Sequence, residues 1–433
     1  MFKMLAVFGP SVFTVERQDW PRHRKAVGAP FNEAIMKFVW DESLRQTQQL
    51  VNYWTTESAA GIQGMQQDMR TISLNVLAAT AFRESYDFRG STNLPGHKAS
   101  IESYRDALSV VHKYSLELML IPYRFLTGPM MPRSIANIGR AAESLKASMM
   151  KMVEAESAAL SQGEPGSGGL ITHLVRALDR KTAQRTGSRD DVKKAGKGGL
   201  SDDEILGNIF VINFAGYETT AITLTFTMML LAAHPEVQEW LFEEIITVTG
   251  SKPVESWDYA LFPMLKRCQA VFLETLRLYG PITALPKIST EKVHALRVGD
   301  QVLALPPGTE TYPMVLGVQV DPRYWDEPYV WKPSRWIVRP EAESGAEYLF
   351  VPRKGTFLPW SDGPQGCAGK KFSQVEAAAA LACLFRAHRI RPKKEAGETE
   401  DQARKRAQGC ADDGTGVLRN EILSSGEIER DLS

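Results

Sequence analysis

The chain has 433 residues, 43% hydrophobic and 24% charged, a balance that excludes wholesale disorder and permits a large buried core. Its 51 basic and 51 acidic residues cancel, which argues against a dedicated nucleic-acid binder. Four cysteines (Cys268, Cys367, Cys383, Cys410) are too few for a disulfide scaffold, and none pairs at C-x-x-C spacing, so a zinc ribbon is excluded.

Taken in chain order, Met1–Val7 is apolar but too short for a signal peptide and lacks its cleavage site. Apolar residues at helical spacing predict helices over Asp41–Trp54, Thr71–Phe82, Ile101–Leu120 and Ser134–Leu160. Ser161–Gly169 and Arg180–Gly199, rich in Gly, Ser and basic residues, read as mobile surface connections within one domain. Leu200–Ala233 is the longest predicted helix, opened by a Ser201/Glu204 capping box and ended by His234 before Pro235. Helices follow over Pro235–Thr249 and Pro263–Tyr279, the second stopped by Gly280 and Pro281. Val293–Val315 reads as short strands broken at Gly299 and at Pro306–Gly308. Pro322–Pro364 is irregular but aromatic, and helix returns over Gly369–Arg389. No internal repeat is present, and no apolar run reaches the ~18–20 residues of a membrane span; Ala221–Ala233 comes nearest. The expected fold is mainly α with a small β portion.

Four segments carry chemistry. Residues 357–372 read FLPWSDGPQGCAGKKF and place Cys367 where a Gly-rich loop meets a helix start. First-turn N–H groups and the helix dipole favour a thiolate there. Gly363, Gly366 and Gly369 would let the backbone approach a flat ligand. A lone cysteine at a helix start is more often simply buried, so the other segments matter. Residues 215–220 read AGYETT, with Gly216 in mid-helix, where glycine costs about 1 kcal/mol against alanine. The glycine suggests a distortion or a close ligand, and Glu218 and Thr219 set an acid and a hydroxyl beside it. The bland alternative is a helix contact with threonines bonded back to the helix carbonyls. Glu274 and Arg277 stand three apart on one helix face, a spacing that is usually a weak surface ion pair. Trp20 and Arg24 bound the fourth segment and offer an indole N–H and a guanidinium fork of donors. The seven histidines show no paired ligand spacing, and no phosphate-loop pattern is present.

These segments, in this order, resemble the cytochrome P450 superfamily. The cysteine loop is similar to F-x-x-G-x-R-x-C-x-G, with Trp360 in place of phenylalanine and Gln365 in place of the basic residue that pairs with a haem propionate. AGYETT is similar to the oxygen-activation motif, and Glu274 and Arg277 to E-x-x-R, joined by Arg335 in the later P-x-R-W segment. Trp20 and Arg24 match W-x-x-x-R.

The resemblance implies one domain over residues 1–433 with the P450 fold, a long central helix lying over one haem b. It implies a monooxygenase, most like fungal microsomal members, that inserts one oxygen atom of O2 into a hydrophobic small molecule, expected to be a secondary metabolite. Electrons would come from NADPH through a separate reductase. Cys367 is the implied axial ligand and metal-binding residue, and Thr219 with Glu218 the proton-delivery pair. Trp20, Arg24, Gly216, Trp360, Gly363, Gln365 and Gly369 are the implied haem contacts, with Lys287 a further propionate partner. Glu274, Arg277 and Arg335 would lock the core near the haem, and Phe210–Ala215 and Ile282–Leu285 would wall the pocket. A monomer is expected, on the cytoplasmic face of the endoplasmic reticulum. Trp20 stands near the chain start, so the family's anchor and first sheet strands are expected to be missing; as written the chain would be soluble or peripheral. Two other classes compete: a haem-thiolate isomerase or dehydratase, and a non-enzymatic truncated haem protein.

Overall fold

A computed structural model describes the chain apart from residues 1–5, 58–60, 63, 92–103, 129–130, 178–198, 341–344, 415–427 and 433. Two compact units alternate along the sequence. The first comprises residues 1–53, 67–221 and 371–376; the second comprises 54–66, 222–370 and 377–433.

The first unit is helical: α1 (Trp20–Gly28), α2 (Glu33–Glu57), α3 (Met65–Phe82), α4 (Tyr104–Lys113), α5 (Ser115–Leu120), α6 (Tyr123–Leu126), α7 (Arg133–Ser161), α8 (Leu170–Arg176) and α9 (Asp202–Gly216). Helix α2 starts before the expected Asp41 because Asn32 Oδ1 accepts the Ile35 N–H at 3.1 Å. Ile35, Met36, Val39 and Trp40 then bury one face. The helix expected over Ile101–Leu120 is two helices parted at Tyr114, and its residues 101–103 lie outside the described residues. Of the two expected mobile connections, 180–198 lies outside the described residues. The other is tied down: the buried Glu156 carboxylate accepts from the Ser167 N–H at 2.9 Å and from the Thr172 hydroxyl at 2.5 Å.

The long helix is likewise two, α9 and α10 (Glu218–Ala233), parted at Tyr217 (φ −109°). Its capping box is present: Glu204 N–H donates to Ser201 Oγ at 3.3 Å and Ser201 N–H to Glu204 Oε2 at 2.9 Å. Contrary to the sequence expectation, Asp202–Ala233 is long and apolar enough to cross a membrane, but 78% of that window is buried inside the protein. That burial is what a core helix shows.

The second unit holds α11 (Pro235–Thr249), α12 (Lys266–Tyr279), α13 (Val315–Gln319), most of α14 (Lys370–Phe385) and α15 (Glu400–Asp412). Among the described residues its strands pair antiparallel in twos: β1 (Lys287–Ile288) with β4 (Glu310–Thr311), β2 (His294–Val298) with β3 (Gln301–Leu305), β5 (Ile337–Val338) with β6 (Tyr348–Leu349), and β7 (His388–Pro392) with β8 (Ile428–Leu432). The β2–β3 register sets Val298 opposite Gln301. Gly299 at φ +60° makes that turn, as expected. Helix α12 starts three residues later than expected because Pro263 lies in a 3-10 turn (Tyr259–Met264) and Leu265 leaves helical geometry (ψ 66°). Its exposed first N–H groups are met from another helix: Glu244 of α11 accepts from Arg267 N–H at 2.7 Å and Cys268 N–H at 3.1 Å. The sequence reading missed α15, whose buried stripe is only Ala403, Ala407 and Ala411 on an otherwise polar helix.

Candidate active site

The cysteine loop folds back on itself before α14. Cys367 N–H donates to Trp360 O at 2.8 Å and Gly366 N–H to Gly363 O at 3.0 Å. Gly363 sits at φ +75°, where a side chain would be strained. A Cβ on Gly363 would meet nothing within 4 Å, and one on Gly369 only the Cys367 Sγ at 3.8 Å. The faces of these two glycines are therefore open, and the Cys367 side chain is exposed just before the helix. Cys268 and Cys383 are buried, which pushes both thiols up, that of Cys383 to about 12. Trp360 packs near Phe272 (6.5 Å) and Phe357 (6.0 Å), with the Lys370 ammonium 5.3 Å from its ring centre. Gln365 is exposed and makes no hydrogen bond among the described residues.

Glu274 and Arg277 are not the usual surface pair, since both side chains are wholly buried. Glu274 accepts five N–H donors at 2.8–2.9 Å: Arg277 Nε and Nη2, Arg335 Nε, the Trp336 indole and the Lys332 backbone. Arg277 uses its remaining donors on the carbonyls of Gln319 (2.9 Å), Pro328 (2.6 Å) and Val330 (3.1 Å). Gln319 in turn accepts the Leu358 N–H at 2.9 Å, which ties the network to the start of the cysteine loop. A buried charge cluster holds only when its donors and lone pairs are met in this way.

Helix α1 carries Trp20 and Arg24 one turn apart, both partly exposed and neither side chain engaged in a hydrogen bond or ion pair among the described residues. Two of the three residues between them are engaged. Arg22 Nη1 donates to Glu204 Oε2 at 2.7 Å, Arg22 Nη2 donates to Glu204 Oε1, and His23 Nε2 lies 3.3 Å from Glu204 Oε1. Burial pushes the Glu204 carboxyl up, but hydrogen bonds from His23, Arg22 and the Ser201 N–H outweigh it and hold Glu204 well below the usual range.

Gly216 suggested a distortion or a close ligand; the helix does part beside it at Tyr217, and an added Cβ on Gly216 would stand 3.0 Å from Leu77 of α3. Glu218, expected in proton delivery, is held by Arg70 of α3 through Nε at 2.9 Å and Nη2 at 2.7 Å, with His112 Nδ1 4.0 Å away. Thr219 Oγ1 donates back to Ala215 O at 3.3 Å. Of the expected pocket walls, Phe210–Asn213 are buried in protein packing: Phe8 meets Phe210 edge-on at 5.1 Å, and the Tyr104 hydroxyl donates to Asn213 at 2.7 Å. Phe214 and Ala215 remain partly exposed, as do Ile282–Leu285. Lys287 is an exposed strand residue with no partner among the described residues.

The family profile described as "Cytochrome P450" matches residues 5–408. The chain belongs to the cytochrome P450 family. It is 31% identical over 414 residues to cytochrome P450 monooxygenase 124 of Postia placenta, covering 94% of this chain and 74% of that protein. A cytochrome P450 monooxygenase of Arthrobotrys oligospora is 29% identical over 432 residues, covering 94% of this chain and 73% of that protein. A solved cytochrome P450 structure superposes with a TM-score of 0.68 at 17% identity, covering 92% of this chain and 82% of the other, and so shares the fold. The P450 is a haem-iron monooxygenase.

The residues present fit haem. An exposed thiol beside two glycines with open faces is a loop that an iron porphyrin can lie against. On α1, an indole and a guanidinium whose side chains have no partner among the described residues suit carboxylate arms. Sequence reasoning missed Arg22, His23, Asn208, Arg70 and His112. Arg22 and His23 lay inside the W-x-x-x-R segment and could have been noticed as extra polar groups there. Nothing local points from Arg70 to Glu218, 148 residues away.

Proposed function

We propose that this P450 oxygenates a hydrophobic secondary metabolite, taking electrons from NADPH through a separate reductase at the cytoplasmic face of the endoplasmic reticulum. The observation that carries the reading is Cys367, exposed on its glycine loop ahead of α14. A similar protein, 28% identical over 432 residues, is the phomenoic acid biosynthesis cluster cytochrome P450 monooxygenase of Leptosphaeria maculans, which supports the substrate class.

Haem, when bound, supplies the redox-active iron at which dioxygen is reduced. Cys367 would hold the iron as a thiolate and donate electron density to it. Trp20 Nε1 and Arg24 would receive the carboxylate arms, with Gln365 offering a neutral donor where a cation is usual. The Thr219 hydroxyl donates to Ala215 O at 3.3 Å and, turned from it, would present its proton at Oγ1. Glu218, next to it in the chain, would be fixed by Arg70. Phe214 and Ala215 would offer apolar surface to the substrate, as would Ile282–Leu285.

Cys367→Ala tests the assignment. The variant is expected to lose the red-shifted Soret band of the ferrous carbonyl complex, while Cys268→Ala, Cys383→Ala and Cys410→Ala keep it. A Cys367→Ala protein that retained the band would place the ligand elsewhere.

A further inference from the structure

We propose that His23, Arg22 and Glu204 form a lock that sets the rotation of α1, and so aims Trp20 and Arg24 at an anionic group, which on the haem reading is a propionate. On the wheel of α1, at about 100° per residue, Trp20 and Arg24 lie roughly 40° apart, whereas Arg22, His23, Ala26 and Val27 span roughly 200° to 340°, an arc that ends about 20° short of Trp20. That second arc faces protein: His23, Ala26 and Val27 are buried, and Arg22 is bonded to Glu204. Nine residues are too few for a helix to hold its own conformation in water, so its rotation is fixed by what it docks against.

The docking contact is polar and specifies one arrangement. Asn208 Oδ1 accepts the Val12 N–H at 2.9 Å, and Asn208 Nδ2 donates to Glu204 O at 2.6 Å, which fixes the amide's orientation. The same Nδ2 lies 2.9 Å from His23 Nδ1, so Nδ1 must accept. The ring proton then sits on Nε2 and points at Glu204 Oε1, 3.3 Å away. Glu204 is held further by the two Arg22 nitrogens and by the Ser201 N–H of its own capping box. Arg22 also donates to Gly199 O at 3.2 Å and to Asp19 at 3.0 Å. Rotating α1 to turn Trp20 and Arg24 away would break the contacts of Arg22 and His23 with Glu204, Asn208 and Gly199 and leave a half-buried carboxylate short of donors. These are positioning residues: none of them reaches the proposed anion.

The proposal rests on Arg24 and Trp20 binding the haem carboxylates, and the test separates the two. The rate of haem transfer from the holoprotein to apomyoglobin is measured for wild type, Arg24→Ala, Glu204→Gln and the double variant. Glu204→Gln keeps an N3 acceptor for the capping box and loses the charge, so the fold is retained. Arg24→Ala is expected to speed haem loss by roughly ten-fold or more, as loss of a charge-assisted bond does. Glu204→Gln should speed it several-fold, and by a smaller factor in the Arg24→Ala background, where only Trp20 is left to aim. Equal factors for Glu204→Gln with and without Arg24 would overturn the lock while leaving Arg24 a haem contact. No effect of Arg24→Ala would overturn the propionate reading itself, and the proposal with it. A second readout is the propionate bending band in the resonance Raman spectrum. His23→Leu should shift it, and His23→Gln, which restores one acceptor and one donor, should return it; a band indifferent to both would refute the lock.

Discussion

Two glutamates of this P450 are equally hidden from water and could hardly differ more. Glu274 on α12 and Glu376 on α14 both have no exposed surface. Glu274 receives five N–H donors and is flanked by two guanidinium groups. Neither oxygen of Glu376 has a hydrogen-bond partner; the Ser73 hydroxyl is near enough to draw its pKa down without completing a bond. Burial therefore prevails and pushes the Glu376 carboxyl up to about 8. The contrast shows that burial alone does not fix the charge of an interior acid: the donors around it do.

The largest effect is expected from breaking the satisfied cluster. Glu274→Ala leaves Arg277 and Arg335 without their counter-charge, which costs about 3–5 kcal/mol for a buried pair, a large part of a domain's stability. Urea unfolding should show that loss together with poor haem loading, and a variant of near-native stability would mean the cluster is dispensable. Glu376→Gln should act in the opposite direction and depend on pH. Below pH ~4.5 both folded and unfolded Glu376 hold a proton; between ~4.5 and ~8 only the unfolded form releases it, so wild-type stability falls across that window. Measured from pH 5 to 8.5, the advantage of Glu376→Gln should grow by about 2–4 kcal/mol. A difference independent of pH would show that Glu376 is ionised or partnered. Trp336→Phe removes a single donor to Glu274 and keeps the ring among Trp325 and Phe357, so a loss of about 1.5–3 kcal/mol is expected from the same unfolding curves. No loss would mean that the remaining four donors suffice.

The sequence made the E-x-x-R segment, the cysteine loop and most helices legible because each is a local signal: a spacing, a turn or an apolar period. It also made the Ser201/Glu204 cap legible, yet not that the same Glu204 carboxylate anchors α1, since that second use needs the fold. Glu376 looked like an ordinary polar position on an alanine-rich helix, and only packing reveals it as buried. Helix α15 escaped notice because three alanines make too faint an apolar stripe. The break at Tyr217 was half legible: Gly216 marked the place, but the closeness of Leu77, which leaves no ordinary room for a Cβ there, is tertiary.

The Glu244 cap has a consequence for how the chain reaches this structure. Helix α12 contains no residue that could close its own first turn, and the carboxylate that does so comes from 23 residues earlier, on α11. That separation is short, so bringing the two together costs little chain entropy. The α11–α12 hairpin is then expected to open as one cooperative unit. Hydrogen exchange should find the amides of Arg267 and Cys268 opening together with those of α11, on the same timescale and with the same denaturant dependence.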